Sequence, residues 1–179
     1  MQVIGVVGLP GSGKSEAAAV AREAGVPVVT MGDVIREACR ERGLDPASHH
    51  GEVATALREE DGPAAIAERT LPRIREALED HDTVLVDGIR SAVEVERFAA
   101  AFGDDFTLVS IEAPFESRAE RLTDRGRDTP AEEGGESLEE RDERELGFGM
   151  GEAMDRADVV IENADSLEAF RRRVREFLG

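Results

Sequence analysis

The run Gly8-Leu9-Pro10-Gly11-Ser12-Gly13-Lys14-Ser15 follows the small and β-branched stretch Val3–Val7 and opens the Ala-rich stretch Ser15–Ala24. It fits G-x-x-x-x-G-K-[ST] in the strand–turn–helix context that gives the pattern its chemistry. Glycines there let backbone N–H groups converge on an anion, and the helix N-terminus adds partial positive charge. The segment commits the chain to an α/β sheet with a phosphate-binding loop. Gly8, Pro10, Gly11, Ser12, Gly13, Lys14 and Ser15 are the expected nucleotide contacts. In such a loop Lys14 reaches the β- and γ-phosphates and Ser15 ligates Mg2+.

Composition isolates the same lysine. The chain has 179 residues, with 40 acidic and 22 basic side chains and a net charge of −18. Of the basic residues 21 are Arg, and Lys14 is the only Lys. A compact ammonium on a flexible stem is kept where Arg's planar fork was otherwise used throughout. The acidic, nearly Lys-free composition resembles that of proteins from extreme halophiles. It argues against nucleic acid or an anionic membrane as partner. The lone Cys39 rules out an internal disulfide and fits a reducing cytoplasm. No run of about 18 apolar residues marks a membrane span, and Met1-Gln2-Val3-Ile4 does not read as a signal peptide.

Further along, short apolar runs alternate with helical stretches. Strands are expected at Val26–Thr30, Thr83–Val86, Phe106–Ile111 and Asp158–Ile161. Helices are expected at Asp33–Arg42, Glu52–Glu60, Pro63–Glu79 (with a kink or break at Pro72), Ser91–Ala101, Pro114–Arg125 and Ser166–Leu178. Residues 44–50 read as a loop. The alternation implies a mostly parallel sheet covered on both faces. Residues 131–145 hold eight acids and two bases. They read either as a solvated loop leading into an exposed helix or as a flap over the site.

The third strand ends Val84-Leu85-Val86-Asp87, the apolar-strand-then-Asp pattern whose carboxylate holds Mg2+ directly or through water. Two further segments concern the other substrate. Thr30-Met31-Gly32-Asp33-Val34-Ile35-Arg36 sits where the second strand meets its helix, and Asp87-Gly88-Ile89-Arg90 continues from the third. At these residues the sequence resembles the nucleoside monophosphate kinases, adenylate kinase in particular. The resemblance implies that Arg36 and Arg90 grip an acceptor's phosphate. Two guanidinium forks on separate elements suit a dianion facing the phosphate loop. Asp33 reads equally as a helix N-cap or as a substrate contact. Met31 and Ile89-Arg90 depart from the family's usual residues.

Arg118, Arg121 and Arg125 fall within an arc of about 60° on their helix, opposite Glu116, Glu120 and Asp124. Either the arginine face serves i,i+4 pairing, or it covers the donor phosphates together with Arg127 and, from the flap, Arg141 and Arg144. The latter resembles the lid of the same kinases. The tail from Ala157 to Glu168 resembles that of dephospho-CoA kinases, which implies that Asn163–Asp165 lie against the adenine of ATP. His49, His50, Cys39, Glu94 and Glu96 carry no specific signal.

Taken whole, the chain resembles an archaeal branch of adenylate-kinase-related P-loop proteins. The resemblance implies a single domain over 1–179, with a three-layer P-loop NTPase fold and a five-stranded parallel sheet of order 2-3-1-4-5. Residues 32–80 would form an acceptor-binding helical subdomain, and about 124–145 a lid. The implied activity is transfer of the ATP γ-phosphate, with Mg2+, to a nucleoside monophosphate or similar small-molecule phosphate acceptor. Lys14, Arg36, Asp87, Arg90, Arg121 and Arg125 would be catalytic, Arg118, Arg127 and Asn163 nucleotide-binding, and Ser15 and Asp87 the metal ligands. Dephospho-CoA as acceptor, with Asp33 as base, and a nucleotide switch acting on a protein are the alternatives.

Overall fold

The structure, a computed structural model, describes residues 1–124 and 137–179. Strands β1 (Gln2–Val7), β2 (Val28–Thr30), β3 (Thr83–Asp87), β4 (Phe106–Glu112) and β5 (Val159–Glu162) form one parallel sheet of order β2-β3-β1-β4-β5. This is the expected order. The helices are α1 (Lys14–Glu23), α2 (Met31–Glu41), α3 (Pro46–Asp61), α4 (Ala65–Asp80), α5 (Ala92–Phe102), α6 (Phe115–Asp124), α7 (Leu138–Gly147), α8 (Met150–Asp155) and α9 (Leu167–Leu178).

Central β1 shows why the sheet is buried on both faces. Its side chains alternate: Val3 and Val7 join a core with α2, α3, α4, α5 and α8, while Ile4 and Val6 join a second core with α1 and α9. Between them, Gly5 leaves room that a Cβ would take from Ile89 and Phe106, at 2.7 and 2.9 Å. Among the described residues no helix is long and apolar enough to cross a membrane.

Three local expectations differ from the structure. Helix α3 begins at Pro46, inside the expected loop, because Asp45 caps it by accepting from the Ala47 N–H at 3.1 Å and Pro46 fills the first turn. Helix α4 runs through Pro72 without a break. Proline forfeits one hydrogen bond and costs about 3 kcal/mol, whereas burying Ile66, Leu71 and Ile74 returns about 1.5–3 kcal/mol each. Helix α2 starts at Met31 with Thr30 as N-cap, so Asp33 lies in the first turn and is not the cap.

Candidate active site

The phosphate loop joins the carboxyl end of β1 to α1, and Asp87 ends the neighbouring β3, where Val6 and Asp87 are register partners. Ligands of open parallel sheets bind at such strand ends. The loop's shape is imposed from outside. Arg118 Nη1 donates to Pro10 O at 3.2 Å, Arg121 Nη1 to Gly11 O at 3.4 Å, and Asn163 Nδ2 to Ser12 O at 2.8 Å. Across the same planar peptides, the N–H groups of Gly11 and Gly13 point away from the clamps on Pro10 and Ser12. Gly13 needs its φ of 119°, and a Cβ there would stand 2.5 Å from Asn163 Nδ2. Ser12 Oγ is buried with no hydrogen-bond partner among the described residues, an orphan that a phosphate oxygen would satisfy.

Lys14 Nζ donates to Gly8 O and to Leu9 O. Burial pushes its pKa down to about 8, with Asp87 and Glu145 opposing the shift and Arg90 and Arg118 adding to it. A bound phosphate favours the charged amine, so binding of a phosphate-bearing ligand takes up a proton between about pH 8 and the ordinary lysine range. Affinity for such a ligand is expected to fall as pH rises through about 8. Calorimetry in buffers of different ionisation enthalpy checks this: the proton uptake should appear above pH 8 and vanish well below it.

Ser15 and Asp87 both line the cleft beside the loop. A hydroxyl and one carboxylate are hard oxygen donors, and they fit Mg2+, which completes its shell with waters and substrate phosphates.

The cleft, of about 490 Å3, runs from Lys14 and Ser15 between α2, α3 and α7. Its described lining carries six cationic side chains, Lys14, Arg36, Arg58, Arg90, Arg141 and Arg144, against three carboxylates, Asp87, Glu94 and Glu145. An acidic chain thus builds a net-positive pocket. Arg36 donates to Asp33, both about half exposed. Arg90 Nη1 lies 3.3 Å from Glu145 Oε1. Arg58 stands over the Phe148 ring, 6.0 Å from its centroid, and 3.6 Å from Glu94 Oε1. Burial, with Arg36 and Arg90 nearby, lowers the His50 pKa. Ile35, Ala54, Ile66 and Met150 supply apolar wall.

The structure brings Arg36, Asp87 and Arg90 into this cleft together with Lys14 and Ser15. It places Arg118, Arg121 and Asn163 behind the phosphate loop. Arg118 is 5% exposed and makes paired 2.8 Å hydrogen bonds to both carboxylate oxygens of Asp142 on α7, so its guanidinium is engaged with the protein rather than turned to a donor phosphate. Arg121 Nη2 donates to Asn163 O at 2.8 Å and to Asn163 Oδ1 at 3.2 Å. Arg125 and Arg127 lie outside the described residues, as does most of the expected lid.

Arg58 and Glu145 escaped the sequence reading, and Glu94, which carried no specific signal there, proves to be a structural part of the cleft. Glu94 is 1% exposed and accepts the Arg90 N–H at 2.8 Å, and burial raises its pKa. An acid inside Ser91-Ala92-Val93-Glu94-Val95, four residues after Arg90, was the available signal.

Residues 4–146 match the family model described as an AAA domain. The chain is 62% identical over 179 residues to the UPF0200 protein of the halophile Halobacterium salinarum, covering all of this chain and 93% of that protein. It is 50% identical over 182 residues to the UPF0200 protein of Methanosarcina mazei, covering 100% and 95%. Among solved structures, TT1252 from Thermus thermophilus superposes with a TM-score of 0.67 at 23% identity, over 99% of this chain and 96% of that one. Shikimate kinase from Bacteroides thetaiotaomicron superposes with a TM-score of 0.60 at 19% identity, over 99% and 98%. These likenesses show a P-loop kinase-like fold. Matched end to end by proteins of that name and over residues 4–146 by the domain model, the chain belongs to the UPF0200 family and carries an AAA domain.

Proposed function

We propose that this protein is a cytoplasmic small-molecule kinase of the nucleoside monophosphate kinase type, transferring the γ-phosphoryl group of ATP to the phosphate of an acceptor. The observation that carries this reading is the net-positive cleft opening beside Lys14. An ATPase acting on a protein requires the phosphate loop and Asp87 but no second anion pocket. Asp33, the base that a hydroxyl acceptor such as dephospho-CoA would require, pairs with Arg36, and in this reading the pair opens when Arg36 takes the acceptor phosphate.

In this reading α2 to α4, within residues 32–80, form the acceptor side. Arg36 and Arg90 orient the acceptor phosphate toward the donor. Lys14 leaves its carbonyl partners and follows the charge that develops on the transferring group. Ser15 and Asp87 would hold Mg2+, which when bound neutralises charge on the donor's β- and γ-phosphate oxygens. Arg118, Arg121 and Asn163 keep the loop in shape, Asn163 beside the adenine. Arg125 and Arg127 would add positive charge over the donor, and residues from about 124 to 145 would exclude water. The kinase positions rather than reacts covalently, so rate depends on in-line alignment.

Arg36→Gln and Arg90→Gln separate the readings. Each removes charge-assisted hydrogen bonds to the acceptor and should lower acceptor-dependent transfer on the order of 10²-fold. ATP affinity, measured by calorimetry, should stay within about twofold because neither side chain belongs to the donor loop. Unchanged ATP turnover in both variants would instead support the nucleotide switch.

A further inference from the structure

We propose that Glu145 is a positioning residue of the acceptor cleft: its carboxylate stands where the acceptor's phosphate binds, holds Arg90 ready, and is displaced by that phosphate. The inference rests on the reading of Arg90 as an acceptor contact.

Four observations lead to it. Glu145 lines the cleft yet is only 7% exposed, an unusual place for an acid facing an anion's site. Its ion-pair partner among the described residues is Arg90, at 3.3 Å. It also acts electrostatically on Lys14, which further faces Asp87 from β3, Arg118 from α6 and the Arg90 side chain. Thus one carboxylate addresses cations of both the donor and the acceptor side.

The helix that presents it is anchored independently. Asp142 lies one turn earlier on α7, on the same face. Both of its oxygens are held at 2.8 Å by Arg118, which in turn donates to Pro10 O of the phosphate loop and to Ala113 O. Glu145 is therefore kept beside Arg90 by its helix as well as by its own charge. On the other side, the Arg90 N–H is fixed to buried Glu94 at 2.8 Å. The backbone of Arg90 stays put, and only the partner of its guanidinium needs to change. Uncompensated cations in a half-enclosed cleft would repel one another, and Glu145 offsets this until a phosphate arrives. A dianionic phosphate brings more charge than the carboxylate that it replaces, so the exchange runs forward.

The test uses inorganic phosphate as the probe, titrated calorimetrically into the full chain at fixed pH 7.5 and fixed salt. E145Q keeps the shape and removes the competing charge. It should bind phosphate about tenfold more tightly than the wild type, and this gain should disappear when E145Q is placed in the R90Q background. In steady-state transfer assays E145Q should lower the KM for the acceptor without raising kcat. Equal or weaker phosphate binding by E145Q, no detectable binding by it, or an undiminished gain without Arg90 would each overturn the proposal. Should E145Q fold poorly, hydrogen exchange on the wild type decides. Saturating phosphate should speed exchange in the last turn of α7, beyond the Asp142 anchor, as Glu145 lets go, and unchanged exchange there contradicts the assignment. Phosphate is bound and not turned over, so these results are separable from the kinase reading. Acceptor-dependent transfer without the E145Q gain would defeat Glu145's role alone.

Discussion

Replacing Lys14 with Met is expected to lower phosphoryl transfer by about 10³-fold, the scale of losing a preorganised charge at the transition state. Replacement by Arg should cost nearly as much. The chain uses Arg at its other 21 basic positions, so charge alone does not explain the exception. Lys14 is half-buried and held by two carbonyls of its own loop, at Gly8 and Leu9. A planar fork that must satisfy five donors does not fit that curl of backbone, and it cannot swing as a point charge from the carbonyls to a phosphate. Measuring kcat/KM for the wild type, K14M and K14R on one acceptor checks this. Near wild-type activity in K14R would mean that the lone lysine has no special role.

The largest effect on stability is expected at Arg118. Truncation to Ala strands the Asp142 carboxylate, which is 14% exposed, and releases Pro10 O and Ala113 O. Breaking such a pair from one side costs about 3–5 kcal/mol. Urea unfolding should register that loss directly. R118K should recover only part of it, because an ammonium cannot make the paired hydrogen bonds that hold both oxygens of Asp142. A loss below about 1 kcal/mol would place the Arg118–Asp142 pair among ordinary surface ion pairs. Nucleotide affinity should fall along with stability in R118A, since the same guanidinium braces the phosphate loop.

The contrast between Lys14 and Arg118 shows what could be read from the sequence. Local signals with a single physical solution were legible. The phosphate loop, the strand ending at Asp87 and the five alternating strands each follow from short-range pattern, and the sheet order followed from the resemblance. That Arg118 and Arg121 share a side of α6 was legible, but the partners they meet in the structure were not. Whether Arg118 faces a phosphate or a carboxylate depends on α7, which brings Asp142 from 24 residues away. Glu145 was missed for the same reason: its place beside Arg90 appears only once α7 has been packed against the cleft. The start of α3 is different. Asp45-Pro46 is a readable cap that the stretch's polar character obscured.

The charge balance also acquires a location. The chain carries a net charge of −18, yet the described lining of the cleft is net positive. At about 1 M ionic strength, repulsion between charges is screened beyond roughly 3 Å, leaving the cleft arginines to act on a phosphate in direct contact with them.

Acceptor-dependent formation of ADP from ATP and Mg2+, in molar potassium chloride, tests the central claim most directly. The acceptors are a panel of nucleoside monophosphates, with dephospho-CoA as the hydroxyl comparison. The predicted result is a rate that rises and saturates with at least one monophosphate and is lost in R36Q and R90Q. A slow ATP loss that no acceptor accelerates, in a protein that demonstrably binds ATP, would contradict the kinase account.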